Sequence, residues 1–104
     1  MQMHQIRYFL ALYEERSFTR AAGRSGVSQP SLTNAIGRLE EELGGPLFQR
    51  RPSVALTALG RAVYPYLEQI AANADRAQET ARALMHVRQA QSDAATPSHS
   101  AGRL

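Results

Sequence analysis

From Ala58 to about Val87 the sequence contains no strong helix breaker except Pro65, and alanine, leucine, glutamine and arginine dominate it. A run of some 30 residues with that composition reads as one helix, about 45 Å long at 1.5 Å per residue. Val63, Leu67, Ile70, Ala74, Ala77, Ala81 and Leu84 recur along it at alternating steps of four and three. This is an apolar seam with the heptad spacing of paired helices. A lone helix cannot bury its own seam, so the element must leave the small globule that carries it and pack on another body. A second copy of the chain is the simplest such body, and the seven seam residues are the expected dimer interface. A helix folded back on its own domain is the competing reading, strongest near Val63 and Leu67 and weakest at Leu84. Pro65 lies more than one turn inside, where it is expected to remove one intrahelical hydrogen bond and bend the helix.

The expected organisation is therefore a globular domain over residues 1–57, a linker and dimerisation helix over 58–88, and a tail over 89–104. The tail's small, polar, aperiodic residues are expected to be disordered. A chain of 104 residues leaves no room for a two-domain enzyme. With no cysteine, a disulfide scaffold, a thiolate zinc site, an iron–sulfur cluster and a cysteine nucleophile are all excluded. The apolar run from Tyr8 to Tyr13 is too short for a membrane span and runs directly into Glu14 and Glu15. A soluble cytoplasmic protein without membrane contact is the expectation.

The twelve basic residues are all arginine, and the net charge of +3 resides in the front of the chain. Residues 1–61 hold eight arginines against five glutamates, while four arginines and four acids balance in the remainder. An excess of that sign suits an anionic partner, although on charge alone an ordinary solvated surface is the favoured reading.

Within the front domain, Ile6, Phe9, Leu10 and Tyr13 recur at helical steps and predict a helix from about His4 to Glu15, with Arg7 and Glu14 on its wet side. Ser17 is placed to cap a short second helix that begins at Phe18, turns Ala21 and Ala22 inward and stops at Gly26. Ser28 caps a third, with Pro30 in its first turn, where a missing N–H costs nothing. Leu32, Ile36, Leu39 and Leu43 form its buried stripe. Pro30, Asn34, Gly37 and Glu41 lie opposite, flanked by Thr33 and Arg38. Gly44, Gly45 and Pro46 end this helix. Residues 47–50 and 54–56 then read as a short β-hairpin turning at Arg51, Pro52 and Ser53, and Thr57 caps the long helix.

The expected fold is mostly α: three helices and a small hairpin wing, followed by the long helix. Two short helices joined tightly, the second exposing a polar face from its first turn, make a helix-turn-helix pattern. A major groove admits one helix, and Gln29, Thr33 and Asn34 carry the short donors and acceptors that base edges match. The caps at Ser17 and Ser28 leave backbone N–H groups for phosphate oxygens. Arg50 and Arg51 on a hairpin tip suit a narrow, negative minor groove. Singly, each feature has an ordinary explanation as a cap, a turn or a wet surface; the order of the whole set raises it above that background.

Over residues 3 to about 88 the chain resembles the LysR-type transcriptional regulators. The resemblance lies in Phe9, the run from Ser17 to Ala22, the run from Val27 to Thr33, Ile36, Leu39-Glu40, Leu43-Gly44, Leu47-Phe48, Arg50, Leu56-Thr57 and Gly60. It implies a winged helix-turn-helix whose linker helix pairs antiparallel in a dimer, with a tetramer left open, on partly palindromic promoter DNA. By position it points to Gln29, Pro30, Thr33 and Asn34 in the major groove and to Arg50, Arg51, Pro52 and Ser53 as the wing. Ser28, Ser31 and Arg38 complete the expected DNA-binding set. Ser25 stands where the family usually has leucine, and Gly23 and Gly26 are expected to loosen the second helix further. The family's effector-binding domain for a small-molecule inducer has no counterpart in this chain. The final residues 101–104 resemble the opening of that domain, so a cut or naturally shortened regulator is expected.

An enzyme is disfavoured. His4, His86 and His99 are scattered, Glu40, Glu41 and Glu42 spread around a helix, and no glycine-rich phosphate loop occurs. No metal or cofactor is expected. The better rival is an interaction module that forms mixed dimers with a full-length regulator through its long helix.

Overall fold

A computed structural model describes residues 1–95. Its elements run in the order α1 (Met3–Glu15), α2 (Phe18–Ser25), α3 (Gln29–Leu43), β1 (Phe48–Gln49), β2 (Ala55–Leu56) and α4 (Ala58–Ala95). This is a winged helix-turn-helix followed by a long helix, the expected class. The local signals act as anticipated at the helix ends. The Ser17 and Ser28 side chains accept from the backbone N–H groups of Arg20 and Ser31. Gly26 and Gly44 take left-handed conformations, with φ of 71° and 98°. Gly26 therefore terminates α2 rather than loosening it, its N–H bonding back to the Gly23 carbonyl while Val27 bonds to Ala22.

A compact unit spans Met1–Ala71, and its core joins Ile6, Phe9 and Leu12 of α1, Ala21 and Ala22 of α2, and Leu32, Ile36 and Leu39 of α3. Each fully buried leucine there contributes about 1.5–3 kcal/mol through the apolar surface it removes from water. The buried face of α1 is rotated from the expected one: Leu12 is enclosed, while Leu10 and Tyr13 are only partly covered. An aromatic cluster borders this helix. Phe9 meets the rings of Phe48 and Tyr64 at 5.3 and 6.3 Å, and Tyr13 meets Tyr64 at 4.5 Å. Burial raises the Tyr64 phenol above its ordinary pKa, and Glu68 adds to the effect. Gln5 is buried on the same helix, its side chain accepting from the Gln2 N–H at 2.9 Å.

The wing is smaller than expected. Its antiparallel ladder pairs Phe48 with Leu56 and Gln49 with Ala55, so Leu47, Arg50 and Val54 lie outside the strands. Leu47 is instead a fully buried core residue whose carbonyl accepts from Thr57.

Helix α4 runs through Pro65 without interruption and continues to Ala95, beyond the expected end near residue 88. Residues 89–95, expected to be disordered, are helical, and the remainder of that tail expectation, 96–104, lies outside the described residues. The start of α4 also belongs to the compact unit, which closes at Ala71 rather than at residue 57. Leu67 and Ala71 are 2% and 5% exposed, and Val63 packs against the core. Leu67, and in part Val63, therefore leave the seam expected to meet a partner, because they seal their own domain. The second unit begins at Ala72. Ala77, Ala81 and Leu84 are exposed within it, Ala74 is half-buried, and Met85 and Val87 add further exposed apolar surface.

Candidate nucleic-acid interface

The first turn of α3 is built around Ser28. Its Oγ accepts from the Ser31 N–H at 3.2 Å and lies 2.9 Å from the Ser31 Oγ, which ties the two hydroxyls together. Pro30, in that first turn, forfeits no backbone bond. Because Leu32, Ile36 and Leu39 anchor α3 in the core, the 3.6-residue period turns the other side outward. Ser28, Gln29, Pro30, Ser31, Asn34 and Arg38 are exposed, and Thr33 is half-buried.

Arg50, Arg51, Pro52 and Ser53 of the wing are exposed as well, and the Arg51–Pro52 peptide is cis. Arg50 is not a free tip. Its guanidinium lies 4.4 Å from the centroid of the Phe18 ring, a cation–π contact worth about 0.5–1 kcal/mol on an exposed surface. The next residue, Thr19, donates its hydroxyl to Gln29 Oε1 at 3.2 Å. Two consecutive residues in the first turn of α2 thus touch the wing on one hand and the start of α3 on the other. This double contact brings the expected groove-reading helix and the expected wing together in one assembly.

Four of the arginines fall into two contrasting pairs. Arg24 reaches Glu14 at 2.6 Å and Glu15 at 3.3 Å, and Arg20 bonds the Glu15 carbonyl at 2.8 Å. The hydrogen bonds that Arg24 donates to Glu14 and then to Glu15 raise its pKa above an already high ordinary value. These two guanidiniums are engaged by α1. Among the described residues, Arg38 and Arg51 form no such ion pair and leave their charge available to an outside anion.

Three contributors escaped sequence reasoning. Glu40 sends Oε2 to accept from the Leu47 N–H at 2.7 Å, holding the chain where it leaves α3 for the wing. Phe18 and Thr19 act through contacts distant in sequence; only the placement of an aromatic ring directly after a cap hinted at a role. Among the described residues, no group of three or more histidines, cysteines or carboxylates could hold a metal ion, and no helix is long and apolar enough to cross a membrane.

An exposed polar helix beside a basic wing defines a winged helix-turn-helix of the nucleic-acid-reading type. Residues 3–61 match the model described as the bacterial regulatory helix-turn-helix protein, lysR family, and the chain belongs to that family. The chain is 48% identical over 85 residues to the HTH-type transcriptional regulator BudR of Klebsiella aerogenes, covering 81% of this chain and 59% of that one. It is 45% identical over 85 residues to the HTH-type transcriptional regulator IlvR of Caulobacter vibrioides, covering 81% of this chain and 29% of that one. The chain thus spans between under a third and about three-fifths of these two relatives, which are named as transcriptional regulators rather than enzymes. Its fold is similar to the BenM_DBD/catB site 1 DNA complex, with a TM-score of 0.76 and 36% identity, covering 82% of this chain and 96% of that one.

Proposed function

We propose that this chain binds double-stranded DNA sequence-specifically as the reading head of a LysR-type transcriptional regulator. Helix α3 enters the major groove with Ser28, Gln29, Pro30, Ser31, Thr33, Asn34 and Arg38. The wing meets the backbone and minor groove through Arg50, Arg51, Pro52 and Ser53. The observation that carries this reading is the likeness, over nearly all of the other chain, to a domain whose crystal structure is a DNA complex. The uncompensated guanidiniums of Arg38 and Arg51 support it from this chain's own chemistry. Two copies pair through the exposed face of α4, with Ile70, Ala74, Ala77, Ala81 and Leu84 in the contact. The protein works in the cytoplasm with the DNA it reads.

The test is a fluorescence-anisotropy titration against the duplex upstream of its own gene and a scrambled duplex, at low and near-physiological salt. Preference for the upstream duplex at both salts is the expected result. Equal, weak binding that disappears with salt would leave only a basic surface. The rival, a module that forms mixed dimers, draws support from exposed Leu84, Met85 and Val87 and gains if the isolated chain shows no DNA preference.

Two substitutions separate the roles. Gln29→Ala is expected to reduce discrimination between matched and mismatched sites by about 1–3 kcal/mol. An equal loss on every duplex would remove Gln29 from base reading. Arg51→Ala is expected to weaken binding on all duplexes and to lower the slope of log K against log salt by about one. An unchanged slope would show that Arg51 touches no phosphate.

A further inference from the structure

We infer that Thr19 fixes the polarity of the Gln29 amide, so that Gln29 meets the duplex as a hydrogen-bond donor only and does not use the adenine amino group. The inference rests on the DNA-binding reading above and deepens it, by naming the chemistry of the base edge that Gln29 takes. A glutamine amide has an oxygen that accepts and a nitrogen that donates. Its well-matched partner in the major groove is adenine, where the oxygen accepts from N6 while the nitrogen donates to N7. That arrangement requires both ends of the amide to face one base.

In this chain the oxygen end is engaged. Thr19 donates its hydroxyl to Gln29 Oε1 at 3.2 Å, across from α2 to the first residue of α3. Both side chains are exposed, so the bond sits at the surface that would meet a base. Oε1 keeps a second lone pair, but a bidentate adenine contact would have to be made by an oxygen already held from α2, so the Thr19 bond competes with it. Leaving the bond intact presents the two amide N–H groups, which suit N7 and O6 of guanine, O4 of thymine, or N7 of adenine alone. Thr19 is a positioning residue in this scheme: it touches no base and acts through Gln29.

The experiment starts with selection from a duplex pool with a randomised core, using this chain and Gln29→Ala. The base pair read by Gln29 is the one at which the two profiles differ. At that pair the expected finding is a G·C pair, or an A·T pair whose adenine amino group is not read. The second case is resolved by replacing adenine with 2-aminopurine, which keeps N7 and the pairing with thymine but carries no amino group in the major groove. Wild-type affinity is then expected to change by less than about two-fold. Thr19→Val removes the hydroxyl at nearly constant shape on an exposed helix position. It is expected to favour adenine over 2-aminopurine by at least about five-fold at the same pair, the lower end of what a bidentate contact discriminates. Thr19→Ser, which restores the hydroxyl, should return the wild-type profile.

A five-fold or greater wild-type loss on 2-aminopurine overturns the inference, as does a Thr19→Val profile identical to wild type. Selective enrichment with identical wild-type and Gln29→Ala profiles overturns it while leaving DNA recognition standing. Absence of any selective enrichment removes the DNA-binding reading itself, and the inference with it. A merely structural role for Thr19 would lower affinity on all duplexes together and leave the base profile unmoved.

Discussion

Gly60→Ala is expected to lower the melting temperature by about 10–20 °C, as followed by the loss of helical circular dichroism. Gly60 is buried in the first turn of α4, and its N–H donates to the Thr57 hydroxyl at 3.0 Å. A Cβ there would press on the Leu47 carbonyl oxygen well inside van der Waals contact, with Leu56 Cδ2 at 3.0 Å. The obstacle is backbone rather than the end of a flexible side chain. That same carbonyl accepts from the Thr57 N–H at 2.9 Å, so relief of the clash must disturb the junction between wing and long helix. Overpacking of this kind costs about 1–3 kcal/mol or more. In a domain of this size each kcal/mol moves the midpoint by about 4–8 °C. Gly23→Ala is the informative control. It lies in the interior of α2 with no neighbour within 4 Å of an added Cβ, and is expected to stabilise by about 0.4–1 kcal/mol. Equal melting temperatures for Gly60→Ala and wild type would show that the close approach is absent in solution.

Ala77→Glu is expected to convert the proposed dimer into monomers at concentrations where the wild type sediments as a dimer. Ala77 belongs to the exposed stripe it forms with Ala81 and Leu84, one turn beyond half-buried Ala74. A two-fold axis places the substitution in the contact twice, and each copy brings a carboxylate into an apolar seam without a partner. An uncompensated buried charge costs about 3–5 kcal/mol, which raises the dissociation constant by at least about a hundred-fold. Ala72→Glu, on the opposite side of the same helix, should leave the dimer intact. Sedimentation velocity that still reports a dimer for Ala77→Glu would place the contact elsewhere.

The parts of the fold legible in the sequence are those that depend on neighbours within a few positions. Ser17, Ser28, Gly26 and Gly44 carry the chemistry of helix ends in themselves, and Leu32, Ile36 and Leu39 repeat at a period that only one face of a helix satisfies. Features that depend on distant packing were hidden. Leu12 is enclosed, while Phe9 meets Phe48 and Tyr13 meets Tyr64, partners that lie far along the chain and that the period of α1 cannot reveal. Leu67 fits a heptad seam and a domain core equally well by spacing, and only the packing places it in the core. The helical continuation to Ala95 follows from intrinsic propensity: Gln89–Ala95 has no apolar period, but it also has no breaker before Pro97. In the candidate site, the polar face of α3 could be read off, whereas the links from Phe18 to Arg50 and from Thr19 to Gln29 could not, since each joins residues ten or more positions apart.

The burial of Leu67 and Ala71 bears on how this head can be cut free. A fragment ending after the wing would keep every residue proposed to face DNA, yet it would lose Tyr64, which meets Phe9 and Tyr13, and the buried Leu67 and Ala71. Its interior would open to water, and aggregation rather than autonomous recognition would follow. The smallest self-sufficient piece therefore reaches past Ala71. Within α4, residues up to that point are inseparable from the head's own integrity, and only those beyond it can be exchanged or redesigned without unfolding what precedes them.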